Sequence, residues 1–575
     1  MDSEIKKCQN CKKEFVIDSE DFKFYEKIKV PAPTFCPNCR LARKLAWRNE
    51  RTLYKRICDL CKKNIISMHK PDAVFPVYCH ECWWGDEWNS SDYGLDYDFK
   101  KSFFEQFKEL QKTVPRPSSY STANINSEYC NHSAHMKNSY LVFGSWFSED
   151  CGYGHTIMNN KNTWNSIFMR KCEYCFYSND CIDCNQLFFS RQCTACIDSY
   201  FIFDCRNCQN CIFSYNLRNK NYHIFNQPVS KEEFNKVKQE IFSSQKSLEE
   251  AKNKFEKIIK EKAIHKFMTG ERNYKVSGEF ISNSKNVHDS YYIDNGENEK
   301  YAVRGGIGQK DSMDVFGTHS GELCYETNNI DFSSRCFFSV NGESNINSNY
   351  LVDCDHLNNS FGCISVRKND YCILNKKYSK EEYEELVQKI IEDMNKNPYK
   401  DRIGVFYKYG EFFPGELSPF YYNETIAQEY FPLDEEEVKK LGYLWNEKLE
   451  EKSYVPTINW NDLPETIEKV EDSILSEIIL CEAWDKDKEK AQKHNCTKAF
   501  RIIQDELSMY KKYGIPLPTK CPNTRYFEMS SKRNSINFYH RKCMKEGCEN
   551  EFETSYSPDR PEIVYCEKCY QQEVY

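Results

Sequence analysis

The chain has 575 residues, enough for several domains with separate cores, and 31 of them are cysteine. Its net charge of -8 argues against a chain coated in nucleic acid, yet residues 1 to 70 hold 17 Lys and Arg against 9 Asp and Glu. No run approaches the roughly 20 apolar residues of a membrane span, and the opening MDSEIKKCQN lacks an apolar leader core. A cytoplasmic location is therefore expected. There thiols stay reduced, so cysteines read as metal ligands or small buried groups before disulfides.

The N-terminal region carries four CxxC pairs: Cys8 and Cys11, Cys36 and Cys39, Cys58 and Cys61, Cys79 and Cys82. Each pair presents two thiolates from one tight turn, and the intervening loop lets a second pair close a tetrahedron, which predicts two structural Zn2+ sites. Four sulfur ligands leave no open position for a reacting water. The first unit, with "EF" after its first pair, "FYEK", a Pro-containing turn and "CPNCR", resembles a family of small probable zinc-ribbon domains in uncharacterised bacterial proteins. The resemblance covers about 40 residues and implies a ribbon fold with no assigned activity.

Between these two ribbons, RLARKLAWRNERTLYKR places Arg40, Arg43, Lys44, Arg48, Arg51, Lys55 and Arg56 beside Trp47 and Tyr54. Cations interleaved with aromatic rings suit phosphate contact and base stacking, so this is the candidate nucleic-acid segment; a solvated linker helix is the alternative.

Farther on, Cys130, Cys151, Cys172 and Cys193 recur at 21 residues, with Asn, Ser and Asp between them. A strict period of about 20 predicts a β-solenoid whose cysteines stack as an interior ladder. The sharper alternative gathers Cys172, Cys175, Cys193 and Cys196 into one metal site. A shift of 149 aligns NYHIFNQPVSKEEF with DYCILNKKYSKEEY, so solenoid and following helix are duplicated. Ser230 with Glu233 and Ser379 with Glu382 predict capping boxes for the two helices, the first running to about Met268 with Phe234, Val237, Ile241 and Leu248 on its buried face. Residues 399 to 445 are expected to wrap the second solenoid, with Asp434 capping a further helix.

A shift of 485 then places Cys11, Tyr25, Cys36 and Arg40 on Cys496, Tyr510, Cys521 and Arg525: the N-terminal module returns at the C-terminus. Cys543, Cys548, Cys566 and Cys569 make a third complete Zn2+ site. Lys493 and Thr524 replace two ligands of the fourth, leaving Cys481, His494, Cys496 and Cys521 as a degenerate candidate.

The predicted chain is mixed and multidomain, with terminal four-cysteine zinc ribbons flanking two right-handed parallel β-solenoids and capping α-helices. It runs as a double ribbon (1–90), a linker helix (91–118), a Cys-rich solenoid (119–228), an amphipathic helix (229–270), a second solenoid (271–378), a helix with an aromatic wrap (379–480) and a second double ribbon (481–575). No catalytic motif or cofactor-binding loop appears. The expected function is a zinc-binding, non-enzymatic binding or scaffold protein, with nucleic acid or a ribonucleoprotein as leading partner. The alternatives are a purely structural protein-protein scaffold and a solenoid-groove enzyme on a carbohydrate-like substrate using Asp180, Asp183, Asp198 or Asp204.

Overall fold

A computed structural model describes residues 2–305, 308–447 and 455–575. Its centre is a pair of solenoid-like stacks of parallel coils. In the first, Phe143 pairs with His155, His155 with Ile167 and Ile167 with Asn179, so each coil takes 12 residues. Strands from Ser121–Thr122 to Asn179–Ile182 line one side, and Asn185–Phe188 to Asn221–Ile224 line another. A left-handed backbone residue recurs at every third position, as at Asp150, Tyr153, Thr156, Asn159 and Asn162. Each coil is thus a four-sided loop with three residues per side.

That geometry corrects the 21-residue period. Separations of 9, 12 and 21 are all multiples of the three-residue side, and every third residue points inward. Cys172, Cys184, Cys196 and Cys208 form one column at 12-residue steps, and Cys181, Cys193 and Cys205 form another; all are buried. Cys151, Cys172 and Cys193 are interior but belong to different columns. The interior residue must be small and able to bond a carbonyl. Cys172 Sγ lies 3.3 Å from the Arg170 carbonyl and Ser178 Oγ 3.2 Å from that of Phe176, the same step of two residues. Ser178 Oγ also accepts from the Ser190 amide one coil on (3.3 Å).

The left-handed corners would each cost an ordinary residue roughly 1–2 kcal/mol. Asn and Asp tolerate that backbone and pair between coils, as Asn126 to Asn138 at 3.2 Å and Asn138 to Asp150 at 3.1 Å. Elsewhere aromatic corners stack: Phe189 on Phe201 at 4.8 Å, then Phe213 and Phe225.

The second stack runs from Tyr274–Ser282 to Cys372–Ile373, with mostly 12-residue steps and interior Cys324, Cys336, Cys354, Cys363 and Cys372. The two stacks lie side by side and antiparallel. Trp146 meets His319, Phe168 meets Tyr292, Arg170 pairs with Asp294 and Arg206 with Glu271, so one numbering rises as the other falls.

The terminal modules straddle this pair crosswise. The N-terminal helix Pro37–Leu45 docks on the second stack, where Asn328 Nδ2 donates to the Lys44 carbonyl at 2.7 Å. Its C-terminal counterpart, Pro522–Ser530, docks on the first stack, where Asn179 Nδ2 donates to the Met529 carbonyl at 3.3 Å. Tyr25 against Tyr325 (5.6 Å) is matched by Tyr510 against Phe176 (5.8 Å). Each module's second unit instead extends the other stack's leading strand: Val77–Tyr78 pairs with Arg116–Pro117, and Ile563–Tyr565 with Ile264–Lys266.

The remaining segments close the core. The expected linker helix is Phe103–Thr113, and it packs inward, Phe103 lying 5.2 Å from Phe361. The single helix expected to Met268 is two, Lys231–Phe242 and Gln245–Glu261, because Ser244 caps a new start. Ser379 and Glu382 form the complete reciprocal box; Ser230 only accepts from the Glu233 amide. The wrap packs Phe413 4.8 Å from Trp47 and 5.8 Å from Tyr350, and Asp434 caps Glu435–Lys440. Among the described residues no helix is long and apolar enough to cross a membrane.

Candidate functional site

The four-cysteine modules share one construction: a β-hairpin presents one pair and the start of a helix the other. In the first, Glu4–Lys7 pairs with Glu14–Ile17, and Cys36 precedes the Pro37–Leu45 helix. The Sγ atoms of Cys8, Cys11, Cys36 and Cys39 all lie within 4.8 Å of one another; so do those of Cys58, Cys61, Cys79 and Cys82, and those of Cys543, Cys548, Cys566 and Cys569. A tetrahedron with metal–sulfur bonds of about 2.3 Å has sulfur–sulfur edges of about 3.8 Å. Cys11 to Cys36 is 3.7 Å, Cys61 to Cys79 is 3.8 Å and Cys548 to Cys566 is 4.0 Å. A disulfide needs about 2.05 Å. The donor sets therefore fit a tetrahedral metal ion. Burial pushes the Cys58 thiol up, but the amides of Cys79, Cys61 and Leu60 outweigh it and hold it at about 7, favouring the thiolate a metal needs.

The degenerate module also converges, through three thiols. Cys481, Cys496 and Cys521 lie within 4.8 Å of one another, Cys481 reaching in from the Ile479–Leu480 strand in place of the lost Cys8 counterpart. Thr524, standing where Cys39 aligns, puts Oγ1 3.2 Å from Cys521 Sγ and 3.9 Å from Cys481 Sγ. His494 is not part of the group; its ring stacks on Phe527 at 5.6 Å. The interior set Cys172, Cys175, Cys193 and Cys196 does not converge on one point, and among the described residues only the four terminal groups do. Burial raises Cys151 and Cys324 to about 12, so these interior thiols stay protonated.

The candidate nucleic-acid segment is corrected by its burial. Arg40, Arg43, Lys44, Trp47 and Arg48 are each 2 % exposed or less. Arg40 Nε donates to Asp314 at 2.9 Å, Arg43 lies 3.3 Å from both Glu326 and Glu411, and Lys44 is 3.6 Å from Asp314. These cations dock the first module on the second stack and cannot reach a phosphate backbone. Arg51 stacks over Tyr526 at 3.7 Å, Tyr54 donates to Glu424 and Arg56 pairs with Asp59 at 2.7 Å. Only Lys55 is exposed.

Sequence reasoning missed the cleft between the stacks, about 960 Å³ in volume. Its walls are matching corner columns: Gly144, Thr156, Phe168, Asp180 and Asp204 face Phe280, Tyr292, Arg304 and Gly317. The signal was present in the repeat: Thr156 and Arg304 stand at equivalent left-handed corners once the 13-residue step from Glu297 to Lys310 in the second stack is allowed for. Below the floor, Arg48 donates to Glu50 at 2.5 Å and to Asn329 at 3.0 Å, and Arg304 donates to Glu50 at 3.2 Å and to His155 Nδ1 at 3.1 Å. Burial and the nearby Arg304 drive His155 down to about 3. Its contact with Glu50 is therefore a neutral Nε2–H donor bond and not an ion pair. Tyr526 donates to Glu429 at 2.7 Å, and burial raises that carboxyl to about 7. Opposing burial, Arg48, Arg304 and His155 hold Glu50 well below the usual range.

The carboxylates considered for sugar chemistry are mostly engaged. Asp180 contacts Arg533 (3.4 Å) and Tyr292 (2.9 Å), Asp198 contacts Lys238 (3.1 Å), and Asp204 is bound by Arg218 and Tyr570. They do not form a free pair across one point.

No family model and no curated protein matches the chain. Among solved structures, one described as a putative acetyltransferase from Desulfovibrio desulfuricans G20 shares 10 % identity over 50 % of this chain and 75 % of its own, with a TM-score of 0.10. A likeness that remote bears on neither fold nor function.

Proposed function

We propose that the chain is a zinc-braced, non-enzymatic binding protein, in which zinc-ribbon modules clamp two β-solenoids and the cleft between them is the binding surface. Right-twisted parallel strands favour the right-handed sense for such coils. The observation that carries the reading is the crosswise docking: each double ribbon grips both stacks, so metal at the ribbons fixes the separation of the cleft walls. Zinc suits all-thiolate tetrahedra, and four sulfur ligands support structure over catalysis. When bound, the metal supplies folding free energy to small modules that bury little core of their own.

Nucleic-acid contact through residues 40 to 56 is not supported, because every one of those cations except Lys55 is buried or half-buried against the chain's own groups. The paired state of Asp180, Asp198 and Asp204 also weighs against the carbohydrate-enzyme reading. The test is to strip metal from the full chain with a chelator and follow hydrogen exchange. Exchange should rise in the ribbons and along Phe168, Tyr292 and the other cleft-wall segments. Unchanged protection of the cleft walls after complete metal loss would contradict the clamp.

A further inference from the structure

We infer that the cleft binds a small anion, a phosphate or carboxylate borne on a planar apolar group, with Arg304 and Arg48 at its floor. The inference rests on the cleft being the binding surface.

The floor holds more cation than its neighbours neutralise. Arg48 and Arg304 share one hydrogen-bonded carboxylate, Glu50, and the third member of the contact, His155, is held neutral; Asp331 also acts on Arg48, but it is tied to His319 at 3.0 Å. Arg51, close by, adds a further guanidinium, while Glu429 beside it is pushed toward its neutral form. A buried charge without a partner costs several kcal/mol. Among the described residues, Arg304 Nε has no hydrogen-bond partner although its side chain is only 8 % exposed, and Thr156 Oγ1, on the adjoining wall, is buried and unpartnered too. Both residues line the cleft, so unused donors and surplus positive charge meet there.

The space above the floor is kept open by two glycines. Gly144 and Gly317 occupy left-handed corners, at φ +57° and +62°, where other coils carry outward side chains such as Phe168 and Asn329. The adjoining walls are aromatic: Trp146 lies 5.2 Å from the His319 ring, and Phe168 packs tilted against Tyr292 at 4.1 Å. His319, tied to Asp331 at 3.0 Å, adds a polar group at the same end. Cationic floor and aromatic wall together select an anion attached to a flat ring over a bare ion.

The test titrates the full chain by calorimetry with inorganic phosphate, phenyl phosphate and benzoate. The aryl anions should bind saturably, and phenyl phosphate about tenfold tighter than inorganic phosphate because of the ring contact. Whichever aryl anion binds tighter identifies the headgroup. Arg304→Gln should weaken all three by about tenfold or more. Should that variant fail to fold, Trp146→Ala decides, since it leaves the Glu50 contacts intact and should abolish the advantage of phenyl phosphate over inorganic phosphate. Absence of saturable binding by the wild type, or affinities unmoved by Trp146→Ala, would overturn the inference. Loss of the zinc reading with the anion still bound would refute the clamp alone.

Discussion

His155 of the first stack and Arg304 of the second hydrogen-bond each other at 3.1 Å beneath the cleft. The antiparallel packing sets a strand residue of one stack against a corner residue of the other, the imidazole accepting and the guanidinium donating. Because His155 is held at about 3 in the fold and near 6.5 when unfolded, the unfolded chain binds the extra proton between those values. Its contribution to stability is therefore complete above pH 6.5 and lost as pH falls toward 3. Between pH 6.5 and 4.5 the wild type should lose about 2–3 kcal/mol more stability than His155→Asn, measured by denaturant unfolding. Parallel pH profiles for the two proteins would show that His155 is not held neutral.

Interior cysteines should tolerate serine. A hydroxyl at position 172 has the partners that Ser178 uses, a carbonyl two residues back and an amide one coil on. Cys172→Ser should change stability by no more than about 1 kcal/mol, whereas Cys172→Leu overfills the narrow coil and should cost about 1–3 kcal/mol. Metal content should be unaltered in both. Metal loss in Cys172→Ser would restore the interior-site alternative.

Removing a docking carboxylate should be far costlier than a surface ion-pair deletion. Asp314→Ala leaves Arg40 and Lys44 buried with one partner fewer, for about 3–5 kcal/mol. Thermal unfolding of the variant checks this; a loss below about 1 kcal/mol, the size of an exposed pair, would contradict the buried docking.

The degenerate module should be repairable. Thr524 already contacts Cys521 and Cys481 from the place of the missing fourth ligand. Thr524→Cys should complete a tetrahedral set and add about one tightly held zinc per chain, read by elemental analysis against wild type. An unchanged count would show that the three thiols are packed as core.

The thiol clusters were legible in the sequence because CxxC pairs are local and their spacing is set by a turn. The duplication was legible as well, since it survives as fixed offsets. The coil length was not: with an inward residue at every third position, Cys130, Cys151 and Cys172 mark a multiple of the side and not the 12-residue coil. The role of Arg40 and Arg43 was hidden for another reason. Their partners Asp314, Glu326 and Glu411 lie 274 to 368 residues away, and a helix rich in Arg looks the same from sequence whether it faces solvent or a buried acidic wall. The cleft arises only when two stacks lie antiparallel, which no local pattern encodes.

Zinc held by the complete thiol tetrahedra, and bracing the fold, is tested most directly by zinc elemental analysis of the metal-replete full chain, combined with X-ray absorption at the zinc edge. At least three zinc ions per chain are expected, one for each complete set, with about four sulfur neighbours at about 2.3 Å. Fewer than two zinc ions per chain, iron in excess of zinc, or a first shell dominated by oxygen would contradict it.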